Sequence, residues 1–208
     1  MEVPKPYVEK NVGGIEGLYI IVPAIHEDPR GYFMETYNEE DMKKAGLDIT
    51  FVQDNQSKSS KGVLRGLHFQ KTHPQTKLVR ALKGIVYDVA VDLRPDSPTF
   101  GKWHGVLLSE ENRKQFLIPK DFAHGFLVLS DTAEICYKCD DFYDPGDEGG
   151  IAWNDPEIGI EWPEVEGSYQ GTACAQGYCL SDKTSLIISE KDQKWPHNLE
   201  ALKGLSLN

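Results

Sequence analysis

Residues 77–94, KLVRALKGIVYDVAVDLR, decide the fold class of this 208-residue chain. They are rich in β-branched and apolar side chains, as strands are. Turn-forming segments punctuate the chain at 94–98 (RPDSP), 119–121 (PKD) and 144–147 (DPGD). Eight or more short strands without interleaved helices predict an all-β, antiparallel jelly-roll barrel or sandwich. The other strand-like runs are GLYIIVPAIH, ITFVQDNQS, GVLRGLHFQ, WHGVLLS, RKQFLIP, HGFLVLS and AEICYKCDDFY.

A few short helices accompany the predicted strands. Residues 38–46, NEEDMKKAG, open on an asparagine cap, carry acids first and lysines last, and end on glycine, all typical of a helix. A second short helix is expected after Ser189, where SEKD resembles a capping box. The chain shows no repeat and no clear linker, so we expect one domain over residues 1–208. Residues 163–186 are rich in Gly, Ser and Thr and predict a long loop or a hairpin insertion.

The charge balance restricts the class of ligand. The chain carries 33 acidic and 22 basic residues, a net charge of −11. A strongly acidic protein is unsuited to bind nucleic acid, whose phosphates select clustered Lys and Arg, but it can still hold one small anion in a locally basic site. The first ten residues lack a signal-peptide core, and the apolar run that begins with Leu18–Pro23 is far shorter than the ~20 residues needed to span a bilayer. We therefore expect a cytoplasmic chain with no membrane partner.

Four cysteines raise the question of a zinc site or disulfides. Their spacings, C-x2-C at 136 and 139 and C-x4-C at 174 and 179, are compatible with zinc binding. Cys136 and Cys139, however, lie in a predicted strand, where an odd offset places them on opposite faces. With no Gly-rich turn around them and no secretory signal, we predict neither a zinc site nor a disulfide.

Polar residues within the predicted strands mark a candidate cavity, because alternate strand residues of a barrel face its interior. In AEICYKCDDFY one face carries two tyrosines, Tyr137 and Tyr143, which suit a wet cavity wall but could equally pack with their hydroxyls in solvent. In VLRGLHFQ, His68 shares a face with Gln70. Arg65 falls on the other face, although a bulge at Gly66 could turn it inward. Further candidates are His124, Lys77 and Asp192.

A metal site deserves consideration, since barrels of this class often bind a metal through histidines and a carboxylate. Here His68 begins the sequence H-F-Q rather than H-x-H. The position where an acid could stand holds Lys77, and a lysine ammonium repels a metal ion. We therefore predict no metal ligands, while keeping a metal-dependent cupin enzyme as an alternative.

Taken together and in order, several segments resemble the dTDP-4-dehydrorhamnose 3,5-epimerase family. The resemblance runs from about Leu18 to Pro196 and implies a cupin-type jelly-roll that works as a homodimer without a cofactor. The implied substrate is a dTDP-linked 4-keto-6-deoxyhexose. The segments are GYFMETYN, FVQDNQS, VLRGLHFQ, KLVRALKGIVYDVAVDLR, FLIPKDFAHGFLVLS, YKCDDFYDP, IAWNDPEIGIEWP and SEKDQKWP.

The resemblance also implies a role for each matching residue. His68 resembles the general base, Asp192 its carboxylate partner, Tyr137 the general acid across the ring, and Lys77 the cation near the keto oxygen. The expectation for Asp192 rests on SEKDQKWP alone, because the stretch before it is longer than the family suggests. Two further sets match substrate-binding positions: Arg65, His124 and Tyr143 for sugar or diphosphate, and Arg30, Phe33, Glu35, Gln53 and Asn55 for the nucleotide, some of them from the partner subunit.

The implied chemistry explains these residue types. Hydrogens at C3 and C5 flank the C4 ketone, so removal of either gives an enolate on O4. Histidine is suited to remove them near neutral pH. A preorganised cation such as Lys77 stabilises the enolate, typically by about 3–4 kcal/mol. Inversion also needs a proton from the opposite face, a role that fits Tyr137. No redox cofactor is required, in agreement with the lack of a Gly-rich dinucleotide motif.

Two alternatives stay open besides the metal-dependent enzyme. One is an epimerase that inverts only C3 or only C5 of a related nucleotide sugar, and the other is a sugar-binding jelly-roll without activity. In either case we expect a locally basic pocket formed by Arg30, Arg65, Lys77 and two histidines. The excess acid is expected elsewhere, in NEED, CDDFYDPGDE and NDPEIGIEWPEVE.

Overall fold

The computed structural model describes residues 6–163, 173–175, 178–180, 186–197 and 199–203. Within these residues the chain folds into two six-stranded sheets and two small hairpins. This architecture confirms the predicted all-β jelly-roll. The strands are, in chain order, β1 Tyr7–Glu9, β2 Tyr19–Val22, β3 Ile25–Asp28, β4 Gly31–Met34, β5 Gln53–Ser60, β6 Val63–Gln70, β7 Lys77–Lys83, β8 Ile85–Asp92, β9 Trp103–Ser109, β10 Gln115–Ile118, β11 Phe122–Val128, β12 Thr132–Cys139, β13 Glu148–Gly150, β14 Ala173–Ala175, β15 Tyr178–Leu180 and β16 Ile187–Ile188.

The order of strands in each sheet brings distant parts of the chain together. The first sheet runs β1-β2-β10-β7-β12-β5, and the second runs β13-β6-β11-β8-β9. The last main strand, β16, joins the second sheet by pairing in parallel with β6. Two hairpins, β3–β4 and β14–β15, stand apart from both sheets. The C-terminal segment is thereby tied to the strand that carries the histidine at position 68.

Three apolar layers hold the sheets in place. The interior layer between the sheets includes Val79, Ile135, Phe116 and Phe126. On the outer face of the second sheet, alternate residues of β8 join Trp153 and Trp162 in another buried cluster. The outer face of the first sheet is covered by Met42 and its neighbours. Because β8 is buried on both faces, it is apolar on both faces apart from the buried Asp88 and Asp92, and it does not alternate between apolar and polar residues.

Helices occur where capping residues permit them. Helix α1, Glu39–Lys44, is capped by the Asn38 side chain, which accepts from two backbone N–H groups of its first turn. This confirms the helix predicted over 38–46. A 3-10 helix, Asp192–Lys194, follows Ser189, whose hydroxyl accepts from the backbone N–H of Asp192 at 3.1 Å. A short helix α2, Leu199–Leu202, was not predicted.

Three of the predicted strand runs are shorter than expected. GLYIIVPAIH divides at Pro23 into β2 and β3, since proline offers no N–H to continue the ladder. KLVRALKGIVYDVAVDLR divides at Gly84, whose φ of +73° turns the chain from β7 into β8. AEICYKCDDFY stays extended only to Cys139, so Tyr143 lies in the loop beyond β12. The Tyr143 side chain therefore lines the interior from a loop, and strand alternation does not determine its direction.

The remaining expectations concern cysteines and membrane segments. Cys136 and Cys139 are both free thiols, on opposite faces of β12. The side chains of Cys174 and Cys179 and most of the predicted insertion at 163–186 lie outside the described residues. No helix in the described part of the chain is long and apolar enough to cross a membrane.

The turn at Gly84 offers a test of packing in the fold. A Cβ placed there would collide with the backbone oxygen of Thr132 and the hydroxyl of Ser130. Gly14 has the same φ of +73° but nothing within 4 Å of its Cβ position. We expect Gly14→Ala to cost about 1 kcal/mol, for left-handed strain alone, and Gly84→Ala more than about 3 kcal/mol. Urea denaturation of both variants measures the difference. Equal losses would contradict the proposed collision.

Candidate active site

The candidate site lies at one end of the barrel interior, where the facing side chains change from apolar to polar. Val79 and Ala81 of β7 belong to the interior core, and Lys77 extends the same alternating face to the strand's start. On β12, Ile135 is followed on that face by Tyr137 and Cys139. Cys139 is the cross-strand partner of Lys77. The sequence alternation thus carries polar groups to the same barrel end on neighbouring strands.

A β-bulge in β6 brings Arg65 and His68 to the same face. His124 of β11 is the partner of His68, and Phe126 is the partner of Arg65. Two residues therefore separate the pair on β6, whereas one residue separates the pair on β11. Arg65 and His68 are three positions apart, an odd offset that would place them on opposite faces of a regular strand. The extra residue of the bulge compensates for this offset, and both side chains line the cavity. The inward rotation expected from Gly66 is thus present.

The cavity consists of two hollows of about 290 and 270 Å³. Five residues line both hollows and so form their common wall: His68, Lys77, Tyr137, Tyr143 and Glu148.

His68 and Asp192 form the shortest contact between ionisable groups in the cavity. The Nε2 atom of His68 lies 2.6 Å from Oδ1 of Asp192, although the two residues are 124 positions apart. Asp192 is only 4% exposed. Burial tends to raise the pKa of this carboxyl, but the bond to His68 and further bonds to Ser189 and Gly66 hold it below its usual value. The ionised carboxylate accepts a hydrogen bond from Nε2–H of His68. In the neutral ring the lone pair is therefore on Nδ1.

The segment that delivers Asp192 is packed tightly against β13. The indole N–H of Trp195 donates to Asp192 at 3.3 Å, and its ring lies edge-on to His68 with centroids 6.1 Å apart. Gly150, the cross-strand partner of His68, leaves room for that indole, since a Cβ there would overlap it. These contacts hold the carboxylate in place beneath the imidazole.

Lys77 and Tyr137 face the same hollows as His68 from the opposite sheet. Burial lowers the pKa of Lys77, although Cys139, Asp88 and Glu148 nearby act in the opposite direction. Burial also raises the pKa of Tyr137 above its usual value. Tyr137 therefore keeps its proton at neutral pH and can donate it, which is the property required of a general acid.

Cys139 is buried next to Lys77, its cross-strand partner. Burial raises the pKa of its thiol to about 11. Its sulfur accepts a weak hydrogen bond from the Asn55 side chain at 3.7 Å, and Asn55 in turn accepts from Gln53 at 2.9 Å. The predicted nucleotide-binding residues Gln53 and Asn55 thus line the cavity next to Lys77.

A second histidine–carboxylate pair faces the cavity from the second sheet. Nε2 of His124 lies 2.9 Å from Oδ1 of Asp88, and both side chains are buried. Arg65 donates from two nitrogens to the hydroxyl of Ser59, at 3.1 and 3.2 Å. The predicted ligand-binding residues Arg65 and His124 both line the cavity, and Asp88, which the sequence analysis missed, is the buried partner of His124.

Glu148 is the most consequential residue that the sequence analysis missed. It lines both hollows, with its Oε1 4.0 Å from Nδ1 of His68. It also accepts hydrogen bonds from Tyr143 and Lys191. In the sequence it stands in the acidic run CDDFYDPGDE, which was expected to lie away from the pocket, and that expectation is wrong for Glu148. Knowledge that β13 pairs with β6 would have placed Glu148 near His68. A strand of only three residues gives too little sequence pattern to predict that pairing.

Three predicted nucleotide-binding residues lie outside this cavity. Arg30 sits in the β3–β4 turn, where it pairs with Asp28 and has a side chain 89% exposed. Phe33 is 68% exposed, and Glu35 follows the same hairpin. The expected grouping of Arg30 with Arg65 and Lys77 is therefore wrong within a single chain. The hairpin projects these side chains outward.

The cavity offers histidine, carboxylate and ammonium groups for ligand binding. Across the described residues, no three His, Cys, Asp or Glu side chains are grouped so that they could hold a metal ion. The arrangement provides an imidazole held by a carboxylate, with a phenol and an ammonium on the facing wall.

Comparison with known proteins places this site in a family. The sequence model for dTDP-4-dehydrorhamnose 3,5-epimerase matches residues 13–200. A dTDP-4-dehydrorhamnose 3,5-epimerase of Methanothermobacter thermautotrophicus is 51% identical over 87% of this chain and 89% of its own length. Its counterpart in Escherichia coli K12 is 54% identical over 86% and 89%, respectively.

A solved structure is similar in fold as well as in sequence. It is the dTDP-6-deoxy-D-glucose-3,5-epimerase of Legionella pneumophila Philadelphia 1 in complex with dTDP-4-keto-L-rhamnose. The TM-score is 0.79 with 43% sequence identity, and the match covers 92% of each chain. With the family model spanning most of the sequence, the chain belongs to the dTDP-4-dehydrorhamnose 3,5-epimerase family.

Proposed function

We propose that this protein inverts C3 and C5 of a dTDP-linked 4-keto-6-deoxyhexose, converting dTDP-4-dehydro-6-deoxyglucose into dTDP-4-dehydrorhamnose. The observation that carries the proposal is the placement of His68, held by Asp192 at 2.6 Å, in one cavity with Tyr137 and Lys77. The relatives named above carry the same activity in their names. The reaction needs a base, an acid and a cation for the enolate, and these side chains supply all three.

The base in this scheme is Nδ1 of His68. Asp192 occupies Nε2, so the lone pair on Nδ1 takes the hydrogen from the carbon next to the C4 ketone. Asp192 then steadies the imidazolium that forms, as a carboxylate does for a catalytic histidine. Two electrons pass into the C=C bond of the enolate, and negative charge collects on O4.

Lys77 stabilises that charge, and Tyr137 completes the inversion. The ammonium of Lys77 has no carboxylate partner within 4.0 Å among the described residues, so its charge is available to O4. Tyr137, with its raised pKa, gives a proton to the carbon from the face opposite His68. The configuration at that carbon is then reversed.

The substrate's nucleotide is bound, in our proposal, by Gln53 and Asn55 together with residues of a partner subunit. The β3–β4 hairpin carries Arg30, Phe33 and Glu35 outward, and Tyr32 on it is also 55% exposed. Exposed aromatic and cationic side chains of this kind suit a nucleobase and a diphosphate. Within a homodimer, the hairpin of one subunit would complete the cavity of the other, while Arg65, His124 and Tyr143 contact the sugar or the diphosphate.

Hydrogen exchange with solvent tests the proposed reaction directly. In D2O we expect the wild-type protein to place deuterium at both C3 and C5 of the substrate, as detected by NMR. His68→Ala should abolish exchange, because no base remains. Tyr137→Phe should retain some exchange but impair completed inversion. His197→Ala and Tyr7→Phe, at exposed positions, serve as matched controls. A wild-type protein without exchange at either carbon would refute the proposal, and exchange at one carbon would favour a single-centre epimerase.

The protonation of Lys77 predicts an alkaline limit to the rate. The lysine must be charged to stabilise the enolate, and burial lowers its pKa from 10.5. We therefore expect kcat to fall as the pH rises through this lowered value, at a pH below 10.5. Lys77→Met should lower kcat about 100- to 1000-fold at neutral pH, as loss of an oxyanion donor does. Lys77→Arg keeps its charge and should lose the alkaline limb. Steady-state kinetics between pH 7 and 10 measure both effects, and an unchanged limb in the arginine variant would exclude Lys77 as its source.

Sharing of residues between subunits can be tested by mixing variants. Arg30→Ala weakens nucleotide binding in the neighbouring site, whereas His68→Ala removes the base in its own site. In a mixed dimer, one site carries both changes and the other carries neither. Co-expressed variants should therefore regain exchange that the separately purified proteins lack. Arg113 contacts Glu27 and Tyr32 of the same hairpin, so Arg113→Ala mixed with Arg30→Ala is the control and should regain none. If the mixture is no more active than the sum of its parts, Arg30 acts within its own chain or not at all.

A further inference from the structure

Inversion of two centres creates a proton imbalance that must be corrected between the steps. After the first inversion, His68 holds the proton taken from the substrate and Tyr137 has lost its own. The second inversion needs the opposite state, with a neutral imidazole and a protonated phenol. One proton must therefore leave His68 and one must reach Tyr137 while the same substrate stays bound. This requirement rests on the proposed double inversion.

Glu148 is placed to receive that proton. It shares a face with Gly150 on β13 and lies diagonally across from His68 on β6. Its Oε1 is 4.0 Å from Nδ1, the nitrogen that takes up the substrate proton. The side chain is only 14% exposed, so water reaches it poorly. A small rotation of either side chain, or one water molecule, closes the remaining distance.

The second carboxylate oxygen of Glu148 contacts a tyrosine that lines the same hollows as Tyr137. Oε2 of Glu148 accepts a hydrogen bond from the Tyr143 hydroxyl at 3.3 Å. Tyr143 and Tyr137 line the same two hollows. Burial raises the pKa of Tyr143 as well, so its hydroxyl remains protonated and can both give and receive a proton. Glu148 thus approaches His68 with one oxygen and, with the other, contacts Tyr143, which lines the same hollows as Tyr137.

Lys191 fixes the position and the charge of Glu148. Its ammonium donates to both carboxylate oxygens, at 2.8 and 2.9 Å. Since Lys191 is the neighbour of Asp192 in the chain, the turn that orients Nε2 of His68 also holds the acceptor near Nδ1. The carboxylate of Glu148 is thereby held in a fixed position beside His68.

We propose that Glu148 is a proton relay that resets His68 and Tyr137 between the two inversions. In the first step, the N–H bond at Nδ1 of the His68 imidazolium breaks and an O–H bond forms on the Glu148 carboxylate. Tyr143 then gives its hydroxyl proton to the phenolate of Tyr137 and takes the proton of Glu148 in return. No net charge is gained and no electron is transferred. The site is restored with the singly inverted substrate still in place.

Glu148→Gln tests the relay, because glutamine keeps the size and the acceptor oxygen but cannot carry the proton. The assay supplies dTDP-4-dehydro-6-deoxyglucose in D2O and counts deuterium at C3 and C5 by NMR. We expect the ratio of singly to doubly inverted product to rise about 100-fold, at the low end of the effect of an acid–base group. Tyr143→Phe should raise the same ratio, and Glu148→Asp should restore part of the double inversion.

The control is Lys191→Gln, which removes the ion pair and leaves the carboxylate. It should slow both inversions with a smaller change in the product ratio. If Glu148→Gln slows both inversions equally and leaves the ratio unchanged, the residue is structural and the relay is refuted. If Glu148→Gln does not fold, the ratio of singly to doubly inverted product in Tyr143→Phe tests the relay instead. Failure of the wild-type protein to exchange at either carbon would instead refute the proposed function itself.

Discussion

The close approach of β6 to β11 is the constraint on which the site depends. A Cβ at Gly66 would lie 2.6 Å from Cα of Gly125, and one at Gly125 would lie 2.6 Å from the backbone oxygen of Arg65. Two glycines therefore face each other where the bulge inserts its extra residue. Without the bulge, strand alternation would send either Arg65 or His68 out of the cavity. The lack of side chains at Gly66 and Gly125 therefore allows the bulge that turns both Arg65 and His68 towards the cavity.

The energetics of the site follow from its position at the polar end of an apolar barrel. Buried cations and carboxylates are costly unless paired, and this structure pairs most of them: Asp192 with His68, Asp88 with His124, and Glu148 with Lys191. Lys77, by contrast, has no carboxylate partner within 4.0 Å among the described residues, and burial lowers its pKa. A substrate that brings an enolate oxygen and a diphosphate would compensate for an unpaired cation. The site is therefore better satisfied with its anionic substrate than without it.

Sequence reasoning reached the parts of the site that depend on local pattern. Alternation along β12 correctly placed Tyr137 and Cys139 on one face, and a glycine within β6 indicated the bulge. It could not find Glu148, because an acid in a Gly-rich turn looks like a surface residue until the partner of its three-residue strand is known. The pairing of His68 with Asp192 was implied by family resemblance, since no local rule joins residues 124 positions apart. The β3–β4 hairpin was not predicted because GLYIIVPAIH has the pattern of one continuous strand, although the strand is interrupted at Pro23.

The C-terminal turn links the two sides of the His68 ring. Asp192 binds one ring nitrogen of His68, and its neighbour Lys191 holds the carboxylate that faces the other. The turn itself is anchored by β16 on β6 and by Trp195 over Gly150. A displacement of this segment would therefore change the orientation of the base and its proton acceptor together. The position of the turn along β6 is set by the register of β16, where Ile187 pairs with Val63 and Ile188 with Leu64. Because Asp192 follows β16 by only a few residues, this short parallel pairing brings the carboxylate to the strand that carries His68.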